Sequence, residues 1–172
     1  MSLYSFYRIS KPSQESVPEN EIRPKYLSIR NRTFWGVTVA YSLYYVCRMS
    51  LSVVKQPLID EGVLTAGQLG VIGSALLFVY AVGKFMNGFI ADYCNIRRFM
   101  FTGLAISAGI NLLMGILGIV DSMVALPLSV IFILFTLLWG VNGWMQSMGS
   151  PPGVISLSRW FPQSKRGTFY SI

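Results

Sequence analysis

Four stretches of this sequence are apolar for long enough to cross a lipid bilayer, and nothing else in it constrains the fold as strongly. They run from about Thr33 to Val54, Ala66 to Ala91, Phe99 to Val120 and Leu126 to Ser158, each near or above the ~18-residue spanning threshold. In hydrocarbon every backbone N–H and C=O must be paired within the chain, and for single segments of this length the helix is the structure that does so. The expected fold class is therefore an all-α membrane protein with four transmembrane helices. The start of a fifth is expected at about Thr168, after the polar Gln163-Ser164-Lys165-Arg166. The sequence thus reads as a tail over 1–32 followed by part of a longer helical bundle over 33–172.

The net charge of +7 is informative through its placement. Arg8, Lys11, Arg23, Lys25, Arg30 and Arg32 precede the first span, Arg97 and Arg98 lie between the second and third, and Arg159, Lys165 and Arg166 follow the fourth. The opposite side carries only Lys55. By the positive-inside rule, the amino terminus and the turn after the second span face the cytoplasm. This asymmetry assigns the positive charge to the lipid bilayer and argues against a nucleic-acid partner. The first thirty-two residues lack the apolar core of a signal peptide and include Pro12, Pro18 and Pro24, so a disordered start is expected. From about Ile22 an interfacial helix is expected, with Ile22, Tyr26 and Ile29 at helical spacing among basic residues. Cys47 and Cys94 are separated by much of a bilayer in this topology, and no disulfide follows.

Only two ionisable side chains lie well inside the four runs, Arg48 and Lys84, and both are cations. A charge at that depth is costly and usually faces the bundle interior or water. Tyr41, Tyr44, Tyr45, Arg48 and Ser52 fall near one helical stripe, and Tyr80 precedes Lys84 by one turn. Snorkelling to an interface is the competing reading for each cation, although the apolar run continues about 9 Å beyond Arg48 at the helical rise. No acid in these runs lies deeper than Asp92 at the rim. An anion supplied from outside would relieve two unpaired buried cations, and a planar fork of donors beside a compact ammonium suits a carboxylate or, better, a phosphate. Acidic residues on further helices are the competing explanation.

Two further stretches read as structural devices. Gly88, Asp92, Asn95 and Arg97 make a tight, charged turn suited to gating between helix ends. In the fourth run, Gly149, Pro151 and Pro152 remove backbone donors and should kink the helix. Gln146 and Asn142, one turn apart, would line a cavity there. No histidine is present, nor a Gly-x-x-x-x-Gly-Lys-Ser/Thr loop or metal-ligand cluster, so the reading is not an enzyme and includes neither metal nor cofactor.

Four of these patterns together resemble the organophosphate:phosphate antiporter family of the major facilitator superfamily. They are Glu21-Ile22 with Tyr26 and Arg30; Tyr41 through Arg48; Tyr80 through Phe85 running on to Asp92, Asn95 and Arg97; and Gln146 through Pro152 leading to Lys165-Arg166-Gly167. Tyr93 stands where the superfamily loop signature usually has arginine, and Met49 where the family usually has lysine. The resemblance implies a twelve-helix transporter of two halves, in a bacterial inner membrane, that exchanges a small organic phosphate for inorganic phosphate. It assigns Arg48 to the phosphate, gives Lys84 a share of the cavity potential and places Tyr41 and Tyr45 at the site. The remaining carboxy-terminal helices would complete it. Some relatives sense external sugar phosphate and signal to a kinase, and that is the alternative function.

Overall fold

The computed structural model describes residues 3–9 and 16–171. They form helices α1 (Leu3–Tyr7), α2 (Glu19–Asp60), α3 (Ala66–Tyr93), α4 (Ile96–Val124), α5 (Leu128–Ser147), α6 (Ser150–Trp160) and α7 (Gln163–Tyr170), with no strand among the described residues. Four spans are long and apolar enough to cross a membrane: α2, α3, α4, and α5 with α6 taken together.

Helix boundaries follow from local chemistry. Thr65 starts α3 through a capping box, its hydroxyl accepting from the Gln68 N–H while the Gln68 side chain accepts from the Thr65 N–H at 2.9 Å. Each partner satisfies a donor that the helix start leaves open. Asn95 caps α4 in the simpler way, its Oδ1 accepting from the Arg98 N–H at 3.3 Å. At the other end of α4, Ala125 adopts a left-handed conformation with φ 49°, and the Asp121 carboxylate accepts from the Leu126 N–H. Between α5 and α6 the Met148 and Gly149 N–H groups turn back to the carbonyls of Met145 and Gln146. Pro151 and Pro152 offer no N–H to the next carbonyls, so one long span becomes two helices.

α2 is longer than its apolar run. Its 42 residues extend about 63 Å at the helical rise, roughly twice the hydrocarbon thickness. The stretch read as a separate interfacial helix is continuous with the span and begins at Glu19. Near the start of the tail, Leu3–Tyr7 form α1. α1 docks on the turn between α3 and α4, where the Asn95 N–H donates to the Tyr7 carbonyl at 2.7 Å and Arg98 Nη1 to the Phe6 carbonyl at 2.6 Å. Residues 10–15 of that tail, with Lys11 and Pro12, lie outside the described residues, as does Ile172. α7 begins at Gln163, ahead of the Thr168 expected from the apolar pattern, because Pro162 in extended conformation opens a helix through the polar residues.

α3 packs most extensively on α5. At Gly143 a Cβ would collide with the Leu76 backbone, and at Gly83 with the Ser147 side chain, so these two glycines set the closeness of that pair. Gly70, Gly73 and Gly88 of α3 have nothing within 4 Å of a Cβ position. A core of Leu51, Leu69, Ile72, Leu76, Ile110, Met114, Phe135 and Trp139 joins α2 to α5 at one end. Phe34, Leu157 and Phe161 pack together at the other.

Candidate functional site

The stripe on α2 divides in two. Tyr41 and Tyr45 stack edge to face with centroids 5.4 Å apart, and the Arg48 guanidinium lies 5.3 Å from the Tyr45 ring and 4.5 Å from the Tyr80 ring of α3. Lys84 Nζ lies 5.7 Å from the centre of the same Tyr80 ring. Five residues expected at the site are therefore brought together. Tyr44 is not among them. It is buried, donates to the Met100 carbonyl at 2.7 Å, and packs its ring on Gly149. This corrects the five-residue stripe: Tyr44 sits on its edge, where α4 and α6 supply an acceptor and room.

The electrostatics of the patch are one-signed. Arg48 and Lys84 share one ring at 4.5 and 5.7 Å, which bounds their charges within about 10 Å of each other, close to the ~10 Å screening length of 0.1 M salt. Cation–π attraction lowers the cost of desolvating them without neutralising them. Arg48 is half-buried, and its Nε is fully buried with no hydrogen-bond partner among the described residues. Lys84 is exposed, so the patch has a wet side. Beside it a groove of ≈ 420 Å³ runs between α2 and α6, lined in part by Tyr41, Tyr45, Ser150 and Gly153. The arrangement offers directed donors and positive potential to a small anion.

Gln146 lies elsewhere. It is 2% exposed and donates through Nε2 to Ser107 Oγ at 2.8 Å, and Ser107 in turn donates to Asn142 Oδ1 at 2.6 Å. Gln146 Oε1 and Asn142 Nδ2 have no partner. No hydrogen bond or ring contact joins this cluster to Arg48, Tyr80 or Lys84 among the described residues. Sequence reasoning passed over Ser107, whose only signal is a hydroxyl one turn before Asn111 on an otherwise apolar helix. It also passed over Asn87, which bonds Ser147 Oγ at 2.6 Å between α3 and α5.

The expected gating residues serve different purposes. Asn95 is a helix cap and holds α1, whereas Asp92 and Arg97 are exposed at the turn. Arg98, rather than Arg97, grips α1, with its guanidinium 5.0 Å from the Phe6 ring. Burial pushes the neighbouring Cys94 thiol above its usual range. Pro152 is buried and Pro151 half-buried in the first turn of α6, directly after Gly149.

Comparison with known proteins gives a consistent result. The sequence profile of the Major Facilitator Superfamily matches residues 37–172. A probable hexose phosphate transport protein of Chlamydia pneumoniae is 34% identical over 97% of this chain and 34% of its own length. A glycerol-3-phosphate transporter of Bacillus subtilis is 32% identical over 94% of the chain and 34% of its own length. The membrane sensor protein UhpC of Salmonella typhimurium is 25% identical over 99% of the chain and 36% of its own length. The chain thus spans about a third of the length of the curated relatives it matches. No solved structure is a significant match.

Proposed function

The chain belongs to the major facilitator superfamily of multi-pass membrane transport proteins, and from that premise we propose that it forms part of a transporter exchanging a small organic phosphate for inorganic phosphate. One observation carries this reading. Arg48 presents a buried, unpartnered Nε beside a ring that it shares with Lys84, and no acid lies within the apolar spans to neutralise either cation.

In this mechanism the phosphate accepts charge-assisted hydrogen bonds from the Arg48 fork. Tyr41, Tyr45 and Tyr80 hold the guanidinium in place and wall the site, and Lys84 adds potential from the wetter side. Substrate and inorganic phosphate share the phosphoryl group, so one site serves both in turn. Binding biases an equilibrium between states open to either side, which is what alternating access requires. Asp92, Asn95 and Arg97 sit at the cytoplasmic turn, with Gly88 in the last turns of α3 leading to it and Gly149, Pro151 and Pro152 as the hinge of the last span. The basic ends of the helices support an amino terminus and a turn that face the cytoplasm of a bacterial cell. The names of the phosphate-ester transporters among the relatives support the substrate class.

A sensing role is the second reading, favoured by the membrane sensor protein that matches 99% of the chain. The test is exchange of radiolabelled inorganic phosphate by the full-length gene product in proteoliposomes, alongside Arg48→Ala. Exchange that the variant loses supports the antiporter. Organophosphate binding without exchange supports the sensor, and neither binding nor exchange sinks the anion site itself.

A further inference from the structure

Hydrophobicity alone fixes the rotation of α2 only weakly. The face it turns outward, with Trp35 62%, Val46 67% and Val53 76% exposed, is as apolar as the face that buries Phe34 and Leu51, and lipid is as apolar as a neighbouring helix. Directional contacts must therefore set which way Arg48 faces. Asn111 of α4 supplies such a contact at that level. Its Nδ2 donates to the Ser107 carbonyl of its own helix at 2.9 Å and to the Cys47 carbonyl of α2 at 3.1 Å. Its Oδ1 accepts a short hydrogen bond from the Ser50 hydroxyl. The orientation of the amide follows from chemistry: turned over, Oδ1 would face two carbonyl oxygens that have no proton to give.

Cys47 and Ser50 flank Arg48 in the sequence. At 3.6 residues per turn they lie about 100° and 160° round the helix from it, on the same side. The clasp thus holds one side of α2 to α4 while Arg48 faces Tyr80 of α3. We propose that Asn111 is a positioning residue for Arg48, fixing the rotation and height of α2 so that the guanidinium stays where the phosphate binds. This rests on the phosphate role of Arg48 proposed above. The leverage is large: a guanidinium about 6 Å from the helix axis moves by about 1 Å for each 10° of rotation. Misplacing a site group by about 1 Å is enough to lose up to ~100-fold in function.

The experiment measures equilibrium binding of radiolabelled inorganic phosphate to the full-length gene product, with thermal unfolding of each variant in parallel. Asn111→Leu removes the amide at similar volume and is expected to raise Kd about tenfold. Ser50→Ala, a milder change that keeps the test valid where Asn111→Leu fails to fold, is expected to raise it about threefold. In an Arg48→Lys background both losses should shrink, because a flexible ammonium no longer depends on the clasp. An unchanged Kd in folded Asn111→Leu and Ser50→Ala overturns the positioning role, as does an equal rise in both backgrounds. If Arg48→Lys itself leaves Kd unchanged, the directed donors of Arg48 play no part and the positioning role falls with them; if the unaltered protein binds no phosphate, the phosphate role of Arg48 falls and this proposal with it. A rise in Arg48→Lys with none in the other two removes the positioning role alone.

Discussion

Two of the polar clusters in the bundle differ in almost every physical respect. Ser107, Asn142 and Gln146 are all neutral, all within 2% of full burial, and bonded to one another between α4 and α5. Tyr41, Tyr45, Arg48, Tyr80 and Lys84 are charged and aromatic and graded from half-buried to exposed, and Tyr41 and Tyr45 border a groove. Amides and hydroxyls can satisfy one another in low dielectric, so the first cluster is a means of joining helices. Two cations cannot satisfy one another. The second cluster carries two like charges with no acid in the apolar spans, which is why we propose the function there.

The strongest test of this contrast is Arg48→Lys. The charge survives, but the planar fork that pairs two phosphate oxygens is lost. We expect Kd for inorganic phosphate to rise tenfold or more with little change in the thermal midpoint. An unchanged Kd would reduce Arg48 to a point charge and leave the patch without directed donors.

A smaller effect of the opposite kind is expected from Ser107→Ala. The hydroxyl links two buried amides, and its loss leaves one more donor and one more acceptor without a partner. Interhelical hydrogen bonds in membranes are worth less than their burial suggests, so a loss of about 1 kcal/mol is expected. The thermal midpoint should fall by a few degrees while phosphate Kd stays level. A shifted Kd at an unchanged midpoint would return Gln146 and its neighbours to the binding site.

How much of this was legible in the sequence depends on whether a signal is local. Thr65 with Gln68, and Gly149 with the two prolines, act within one or two turns, and the capping box and the helix break follow from the residues themselves. The meeting of Arg48 with Tyr80 and Lys84 was approachable because an unpaired intramembrane charge is costly enough to stand out. Tyr44 was not. Its turn away from Arg48 depends on the Met100 carbonyl and on the space left by Gly103 and Gly149, which are far from it in the chain. Gln146 shows the same limit, since an amide on an apolar helix can face a cavity or a second polar residue, and only Ser107 decides between them. The docking of α1 is further still from local pattern: Tyr7 bonds Thr102 at 3.0 Å across 95 residues.

The smallest expected effect tests the graded exposure within the patch. Lys84 is exposed, with its Nζ 5.7 Å from the Tyr80 ring centre, and in the proposed site it acts through potential rather than contact. Lys84→Gln is expected to weaken phosphate binding about threefold at low salt, and the screening length falls from ~30 Å at 0.01 M to ~3 Å at 1 M ionic strength. The difference between the two proteins should therefore vanish as salt rises, whereas the effect of Arg48→Lys, which rests on contact geometry, should persist. Titrating sodium chloride in the phosphate-binding measurement separates the two. A Lys84→Gln effect that survives at 1 M salt would mean that the ammonium touches the phosphate, extending the directed part of the site from α2 onto α3.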